Sequence, residues 1–230
     1  MVTHKINVPN KLSEITLGQY QKFSKIFTED TDQDFLQKKM VEIFCGIPLA
    51  DVNKIKYSSV KKVVETISKM FNEKPKLKKT FDLAGKEFGF HPQLSEMTFG
   101  EFVDADTFTG DWETMDKAMS VLYRPVKDKF NDSYLIEEYD GKTKEFMKQM
   151  PLDVAFGAIF FLSNLRNELT ALILNFSAKE MKKMTTQQRQ LLERNGDGLA
   201  HCIASVQKAS QTLTRLKDSE LTPASLGYHL

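Results

Sequence analysis

Histidine is the side chain most often used for proton transfer near neutral pH, and this sequence has four: His4, His91, His201 and His229. Only His201 has a reactive neighbour, the adjacent Cys202. Neighbouring residues on a helix point about 100° apart, so we do not expect these two side chains to share a site. The histidines therefore predict neither a metal centre nor an acid–base pair.

The motifs that hold phosphate, nucleotides, zinc or an activated serine are absent from the sequence. Asp104 and Asp106 resemble part of a carboxylate metal site, but the further ligands of a calcium loop do not follow them. We interpret the pair as part of a helix end. An active site built from scattered residues stays open, because spacing in sequence does not reveal convergence in space. The prediction is a protein that is not an enzyme and has no cofactor or metal.

The composition is that of a globular protein. The chain has 230 residues, 41% hydrophobic and 27% charged, which is enough for a sizeable core. Its two cysteines, Cys45 and Cys202, are too few for a disulfide framework. The first ten residues lack the apolar stretch of a secretory signal. These features favour a reducing compartment, the cytosol of the cell that makes the protein.

The most apolar stretch is residues 154–165. A membrane-spanning helix needs about twenty apolar residues, and extending this one would place Arg166 and Glu168 in hydrocarbon. Pro151 is tolerated in the first turn of a helix, and no other proline follows before Phe176. We therefore predict a central core helix here and no stable membrane span.

One nine-residue pattern occurs twice. Residues 12–20 read LSEITLGQY and residues 94–102 read LSEMTFGEF, with five identical positions. Each copy contains a capping box, in which a threonine caps a helix and the side chain three residues later returns to the cap amide: Thr16 with Gln19, and Thr98 with Glu101. The flanking apolar residues fit hydrophobic staples: Ile15 with Tyr20, and Met97 with Phe102. We predict two related units, each an extended lead-in followed by a helix. The alternative is two unrelated helices that share a start signal.

Apolar residues at helical spacing predict several further helices. They run from Tyr20 to Phe27, from Phe35 to Phe44 with Gly46 as the C-terminal cap, from Ser59 to Phe71, and from Trp112 to Leu122. Alternating apolar residues around Gly85 predict a β-hairpin within residues 76–91, to which residues 4–9 could add a strand. Residues 134–139 also read as extended.

The sequence changes character after Phe176, where two helices are predicted: residues 177–194, rich in Lys, Gln and Met, and residues 199–216, with a sparser amphipathic pattern. Their thin apolar stripe includes Leu213 and Leu216 and is expected to pack on another subunit or on the main body. The predicted fold class is mainly α with a small β element (α+β), a helical bundle with a β-hairpin and a C-terminal helical appendage. The predicted domains are residues 1–176, built from units of about 1–79 and 80–176, and the appendage with its tail, 177–230.

Charge is segregated although the total is only +1. Residues 54–79 carry nine lysines and two acids, a net charge of +7, and residues 80–121 carry nine acids and two lysines, a net charge of −7. This pattern predicts either head-to-tail association between copies, closing a ring, or a solvated lysine face neutralised within the chain. Contact between the lysines and DNA has weaker support, because no arginine or aromatic residues are interleaved with them.

A resemblance to a known family extends from Phe81 to Phe176. Its pieces are the hairpin FDLAGKEFGF, the segment MTFGEFVD, Gly110-Asp111-Trp112, and the block AMSVLYRP followed by Tyr139-Asp140-Gly141. Together they resemble small proteins from the structural and assembly gene blocks of tailed bacteriophages, notably crAss-like phages. The resemblance implies a virion component or a tail assembly chaperone, and it carries over no catalytic residue. The helical appendage after Phe176 has no counterpart in it.

The Leu-Tyr-Arg-Pro block, residues 122–125, has two interpretations. Pro125 should stop a helix near Arg124, whose guanidinium would then satisfy terminal carbonyls while the Tyr123 ring packs, which gives a structural corner. Tyrosine and arginine are also enriched in binding hot spots. The candidate partner-interface residues are Leu122, Tyr123, Arg124, Lys61, Lys62, Asp104, Asp106, Leu213 and Leu216.

These observations lead to a functional expectation. The resemblance implies a non-enzymatic virion protein of a tailed phage, present in several copies in the portal, neck or tail, or packaged as cargo. Its partners would be other virion proteins and further copies of itself, and it would be found in the virion and in the host cytoplasm during assembly. The alternative is a tail assembly chaperone that is absent from the mature virion.

Overall fold

The structure is a computed structural model that describes residues 7–26, 31–131, 133–142, 145–183 and residue 185. Within these residues the chain forms seven α-helices and four β-strands. In chain order they are α1 (Leu17–Ser24), α2 (Gln33–Cys45), α3 (Leu49–Val52), α4 (Tyr57–Phe71), β1 (Thr80–Leu83), β2 (Lys86–Phe90), α5 (Phe99–Phe108), α6 (Met115–Leu122), β3 (Tyr123–Phe130), β4 (Ser133–Ile136) and α7 (Leu152–Lys183). The predicted class, mainly α with a small β element, is confirmed.

Both copies of the repeated segment start a helix in the same way. A 3-10 turn, Leu12–Glu14 or Leu94–Glu96, precedes the helix, and only the two residues after it are extended, so the predicted extended lead-in is present only in part. Both capping boxes are confirmed. The Gln19 amide donates to Thr16 Oγ1 at 3.2 Å, and the Thr16 amide donates to Gln19 Oε1 at 2.9 Å. The second copy makes the same two bonds at 3.3 and 2.6 Å.

Five helices of the first 122 residues pack against one another. α4 packs on α2, α2 on α1, α1 on α6, and α6 on α5. α1 also meets α4, where Tyr20 contacts Phe71. The inner face of α4 shows why it packs, because its apolar residues recur at helical spacing and are buried: Val60, Val64, Ile67, Met70 and Phe71.

The helix α2 follows its predicted pattern with one change. Gly46 ends it in the left-handed conformation with φ 66°, as predicted. The buried stripe consists of Leu36, Met40, Val41 and Phe44, whereas Phe35, predicted on the same face, is 40% exposed. At about 100° per residue, Phe35 lies about 140° round the helix from Met40, outside the buried stripe.

The sheet is antiparallel with strand order β1-β2-β3-β4. The hairpin predicted around Gly85 is present, and its turn residues Ala84 and Gly85 have φ 52° and 76°, as a two-residue hairpin turn requires. The sheet is larger than predicted because α6 runs directly into β3, where Tyr123 pairs with Phe90. β4 overlaps the segment predicted to be extended, residues 134–139, and completes the sheet.

Tyr20 lies at the centre of the core. Its ring centroid is 5.4 Å from that of Phe71, 4.7 Å from Trp112 and 5.2 Å from Phe156, each with edge-to-face geometry. Burial raises the pKa of Tyr20 to about 12. This one side chain thus connects α1 to α4, to the turn before α6 and to the start of α7.

The predicted central helix is α7. It starts at Leu152, and Pro151 precedes it in an isolated β-bridge with Thr16 instead of occupying its first turn. Residues 154–159, apart from Gly157, are buried hydrophobic residues. The chain divides into two compact units, Met1–Phe160 and Phe161–Leu230. Among the described residues no helix has the length and apolar character needed to cross a membrane.

Several predictions fall outside the described residues. Residues 4–6 of the suggested first strand are not described, and Asn7 to Pro9 form no strand. Nearly all of the predicted appendage, including Leu213 and Leu216, also lies outside the described residues, as does Cys202. α7 itself continues past residue 176 to Lys183, and the domain boundary at residue 176 stays a prediction.

Gly157 allows α7 to approach the chain before β1. A Cβ placed on Gly157 would lie 2.5 Å from the carbonyl oxygen of Lys76, whereas one on Gly100 in α5 would meet nothing within 4 Å. Alanine in place of helical glycine normally stabilises by up to about 1 kcal/mol. We expect Gly157→Ala to destabilise the fold by about 1–3 kcal/mol, because the helix must move, and Gly100→Ala to be neutral or stabilising. Urea unfolding of both variants checks this, and a stabilised Gly157→Ala would contradict the close packing.

Candidate interaction surface

The Leu-Tyr-Arg-Pro block forms a buried corner. Leu122, Tyr123 and Arg124 are 1%, 0% and 7% exposed. α6 ends at Leu122, the last residue of the predicted helix, and Tyr123 and Arg124 already belong to β3. The Tyr123 hydroxyl donates to the carbonyl of Lys78 at 2.7 Å. This burial within the first compact unit favours the corner over the binding hot spot.

Arg124 does not satisfy the carbonyls at the end of α6, as the sequence suggested. Its Nη1 instead lies 2.6 Å from Oε1 of Glu101, and the two side chains are only 8% and 5% exposed. Glu101 is the residue of the second capping box, so its other oxygen, Oε2, accepts from the Thr98 amide. One buried carboxylate thus joins the start of α5 to the first residues of β3.

The electrostatics of Glu101 follow from these partners. Burial by itself raises the pKa of this carboxyl, but the hydrogen bonds with Thr98 and the adjacent Arg124 guanidinium outweigh it. The pKa of Glu101 therefore lies below its ordinary value. The charged carboxylate fixes which side of α5 faces the rest of the unit.

His91 lies next to this ion pair. Its backbone amide donates to the carbonyl of Leu122 at 2.8 Å, and its Nδ1 accepts from the Gln93 amide at 3.3 Å. Burial lowers the pKa of His91 and the Arg124 charge lowers it further, while Glu101 opposes them. The folded protein therefore holds this imidazole neutral more strongly than the unfolded chain does.

Acid should weaken the fold first through His91. An unfolded histidine has a pKa of about 6.5, so the stabilisation is complete above that pH and is lost as the pH falls towards the lower pKa of the folded state. The pKa of Glu101 is also lowered, so its stabilisation is complete above about pH 4.3, the value for an unfolded glutamate, and is lost only below that pH. Urea unfolding at pH 7.5 and 5.5 should show a smaller loss for His91→Gln than for the wild type. An equal loss in both proteins would show that another group titrates.

The outward face of α5 is apolar. Phe99 is 83% exposed, Phe102 is 60% exposed and Val103 is 40% exposed, and Asp106 is exposed one turn later. These positions follow the spacing i, i+3, i+4 and i+7, which places them on one side of a helix. Glu101, on the other side, is 4% exposed. α5 therefore buries the charged Glu101 and exposes the aromatic Phe99 and Phe102, the reverse of an ordinary surface helix.

The repeat shows what this face does in its other copy. The equivalents of Phe99, Phe102 and Val103 in α1 are Leu17, Tyr20 and Gln21, which are 0%, 8% and 5% exposed. In α1 the rest of the unit covers this face. In α5 the hydrophobic staple predicted for Phe102 does not bury its ring, which lies in solvent. The two helices share a start signal but differ in what covers them.

The charged candidates are partly used within the chain. Asp104 is half-buried and accepts from the Tyr139 hydroxyl at 2.6 Å, whereas Asp106 is exposed. Lys61 and Lys62 are exposed on α4, and no ion pair among the described residues involves them. The segregated charges are therefore partly neutralised internally, by pairs such as Lys78 with Asp153 at 2.6 Å.

Other ligand chemistry has little support in the described part of the chain. No three His, Cys, Asp or Glu side chains there are grouped to hold a metal. Cys45 is a free thiol whose pKa burial raises to about 11, which disfavours the reactive thiolate.

Comparison of the chain with family models, curated proteins and solved structures finds no match.

Two residues of this surface were missed by sequence reasoning. The sequence pattern predicts that Phe99 and Phe102 begin an ordinary helix, because apolar residues at this spacing normally mark the buried side. The available signal was Glu101 between them, which the capping box holds at the turn where the helix enters the unit. Glu101 is held inside by Arg124, and the rings of Phe99 and Phe102 face solvent.

Proposed function

We propose that this protein is a non-enzymatic subunit of a tailed-phage particle, present in several copies and held by contacts between subunits. The observation that carries the proposal is the apolar face of α5, Phe99, Phe102 and Val103, on a helix fixed by a buried ion pair. Exposed aromatic residues grouped on a rigid element are typical of protein–protein contacts. Because residues 81–176 resemble phage assembly proteins, we propose that this contact is made between subunits of a phage particle.

A second function fits the same face. A tail assembly chaperone would use exposed aromatic residues to hold an apolar partner during assembly, and would leave before the particle matures. Both functions place the protein in the host cytoplasm during assembly, and only the first also places it in the virion. Contact between DNA and the lysines of residues 54–79 supports neither the virion function nor the chaperone function.

The test is quantitative mass spectrometry of purified particles beside the lysate of infected cells. We expect peptides of this protein in the particles at a fixed ratio to the major capsid protein, corresponding to several copies each. Particles purified through a second density gradient control for adsorbed protein. Abundance in the lysate with absence from the particles would refute the virion function and support the chaperone.

A further inference from the structure

We infer that the apolar face of α5 binds the basic outer face of α4 on a second copy of this chain, in a head-to-tail contact. The inference rests on the proposed function and names the partner of the same surface. The α5 face is defined by Phe99, Phe102, Val103 and Asp106, and the α4 face by Tyr57 and Lys61, one turn apart, with Lys62 about 100° round the helix from Lys61.

The two faces lie on different helices of the unit. α4 packs on α2 and meets α1, whereas α5 packs on α6. A contact between two different faces is heterologous, so each copy keeps one face open for the next. Such contacts close into a ring when the rotation between copies permits it.

The chemistry of the two faces is complementary. On α5, the aromatic residues are followed by exposed Asp106, and exposed Glu96 precedes the helix. On α4, Tyr57 is 67% exposed and stands one turn before Lys61. Lysine stems can cover apolar rings while their amino groups reach carboxylates, so a Lys–Tyr face suits a Phe–Asp face.

Two other occupants fit these observations less well. If α5 met α5 of a second copy, the carboxylates of Asp106 and Glu96 would approach their own counterparts, and like charges oppose such pairing. The chain's own residues 186–230 carry fewer excess positive charges than residues 54–79. The charge pattern therefore favours α4 of another copy.

Two variants of the full chain test the contact. The α5 variant carries Phe99→Ser and Phe102→Ser, and the α4 variant carries Lys61→Glu and Lys62→Glu. We expect each alone to self-associate about 30-fold or more weakly than wild type, the size of a hot-spot loss, in sedimentation velocity. Phe130→Ser is the matched control, because Phe130 is also 60% exposed but lies on β3, and it should associate like wild type. An unchanged urea midpoint shows that each variant folds.

Mixing the two variants gives the sharpest result. Each variant keeps one intact face, so the mixture should form a dimer of one α5 variant and one α4 variant that does not grow further. Wild type should form larger assemblies. The inference fails if the mixture stays monomeric while wild type assembles, if either folded variant assembles like wild type, or if wild type is monomeric.

These failures differ from a failure of the proposed function. A wild type that is abundant in particles but does not self-associate, or whose α5 residues contact its own C-terminal segment or another virion protein, keeps the proposed function and overturns the head-to-tail contact. Absence from particles refutes the virion function whatever the mixing experiment gives.

Discussion

Replacing Arg124 with alanine is expected to lower the free energy of unfolding by about 3–5 kcal/mol, because it leaves the Glu101 carboxylate buried without its cation. The two side chains are 8% and 5% exposed, and they join α5 to β3 at 2.6 Å. Urea unfolding followed by circular dichroism measures the loss. The same experiment on the charge-reducing double variant Arg124→Met with Glu101→Gln should recover a large part of it.

The repeat supplies a matched control for the capping role of Glu101. Gln19 occupies the equivalent position in the first copy and closes its capping box with a neutral amide. Glu101→Gln should therefore keep the cap and lose only the charge that faces Arg124, which lowers the free energy of unfolding by about 3 kcal/mol.

If Arg124→Ala folds with wild-type stability yet no longer assembles, Arg124 is a binding hot spot and the corner interpretation is wrong.

Truncating Tyr20 should cost about 3–5 kcal/mol, whereas truncating Phe102, its equivalent in the second copy, should change stability by no more than about 0.5 kcal/mol. Tyr20 is 8% exposed and meets three aromatic rings, and Phe102 is 60% exposed. Thermal and urea unfolding of Tyr20→Ala and Phe102→Ala compare one motif position in two environments.

The Phe102 variant separates stability from assembly. Because its ring lies in solvent, Phe102→Ala should unfold like wild type and associate more weakly. A large loss of stability on truncating Phe102 would mean that α5 packs its aromatic face inside the unit, which would remove the basis of the proposed surface. Equal small losses at both positions would contradict the described core around Tyr20.

The most accurate predictions from the sequence concern features that depend on residues close together in the chain. Both capping boxes depend on residues only three positions apart, and the hairpin depends on a turn that Gly85 permits. The buried start of α7 followed from an unbroken apolar run. In each case the residues that decide the conformation are neighbours in sequence, so the pattern is visible without the fold.

The predictions that failed depend on partners far apart in the chain. The sequence assigned Arg124 to the carbonyls of its own helix, but Glu101, 23 residues earlier, offers a full negative charge within a buried site. Nothing in the local pattern distinguishes Phe102 from Tyr20, because both stand at the same point of the same motif. What covers each ring is decided by tertiary packing, which spacing does not encode.

The charge pattern is an intermediate case. The sequence has a basic segment followed by an acidic one. Lys61 and Lys62 of the basic segment and Asp106 of the acidic segment are exposed, so each segment presents charge to solvent. Asp104 and Lys78 instead bind Tyr139 and Asp153 within the chain. Net charge over a segment therefore overstates what the surface presents to a partner.

Zero-length cross-linking between copies tests the central claim most directly. Equal amounts of ordinary and nitrogen-15-labelled full-length protein are mixed and treated with a carbodiimide, which joins a lysine amine to a carboxylate in contact with it. We predict cross-links from Lys61 or Lys62 to Asp106 or Glu96 in which one peptide is labelled and the other is not. Cross-links of Asp106 and Glu96 found only within single chains, or only to lysines after residue 176, would contradict the account.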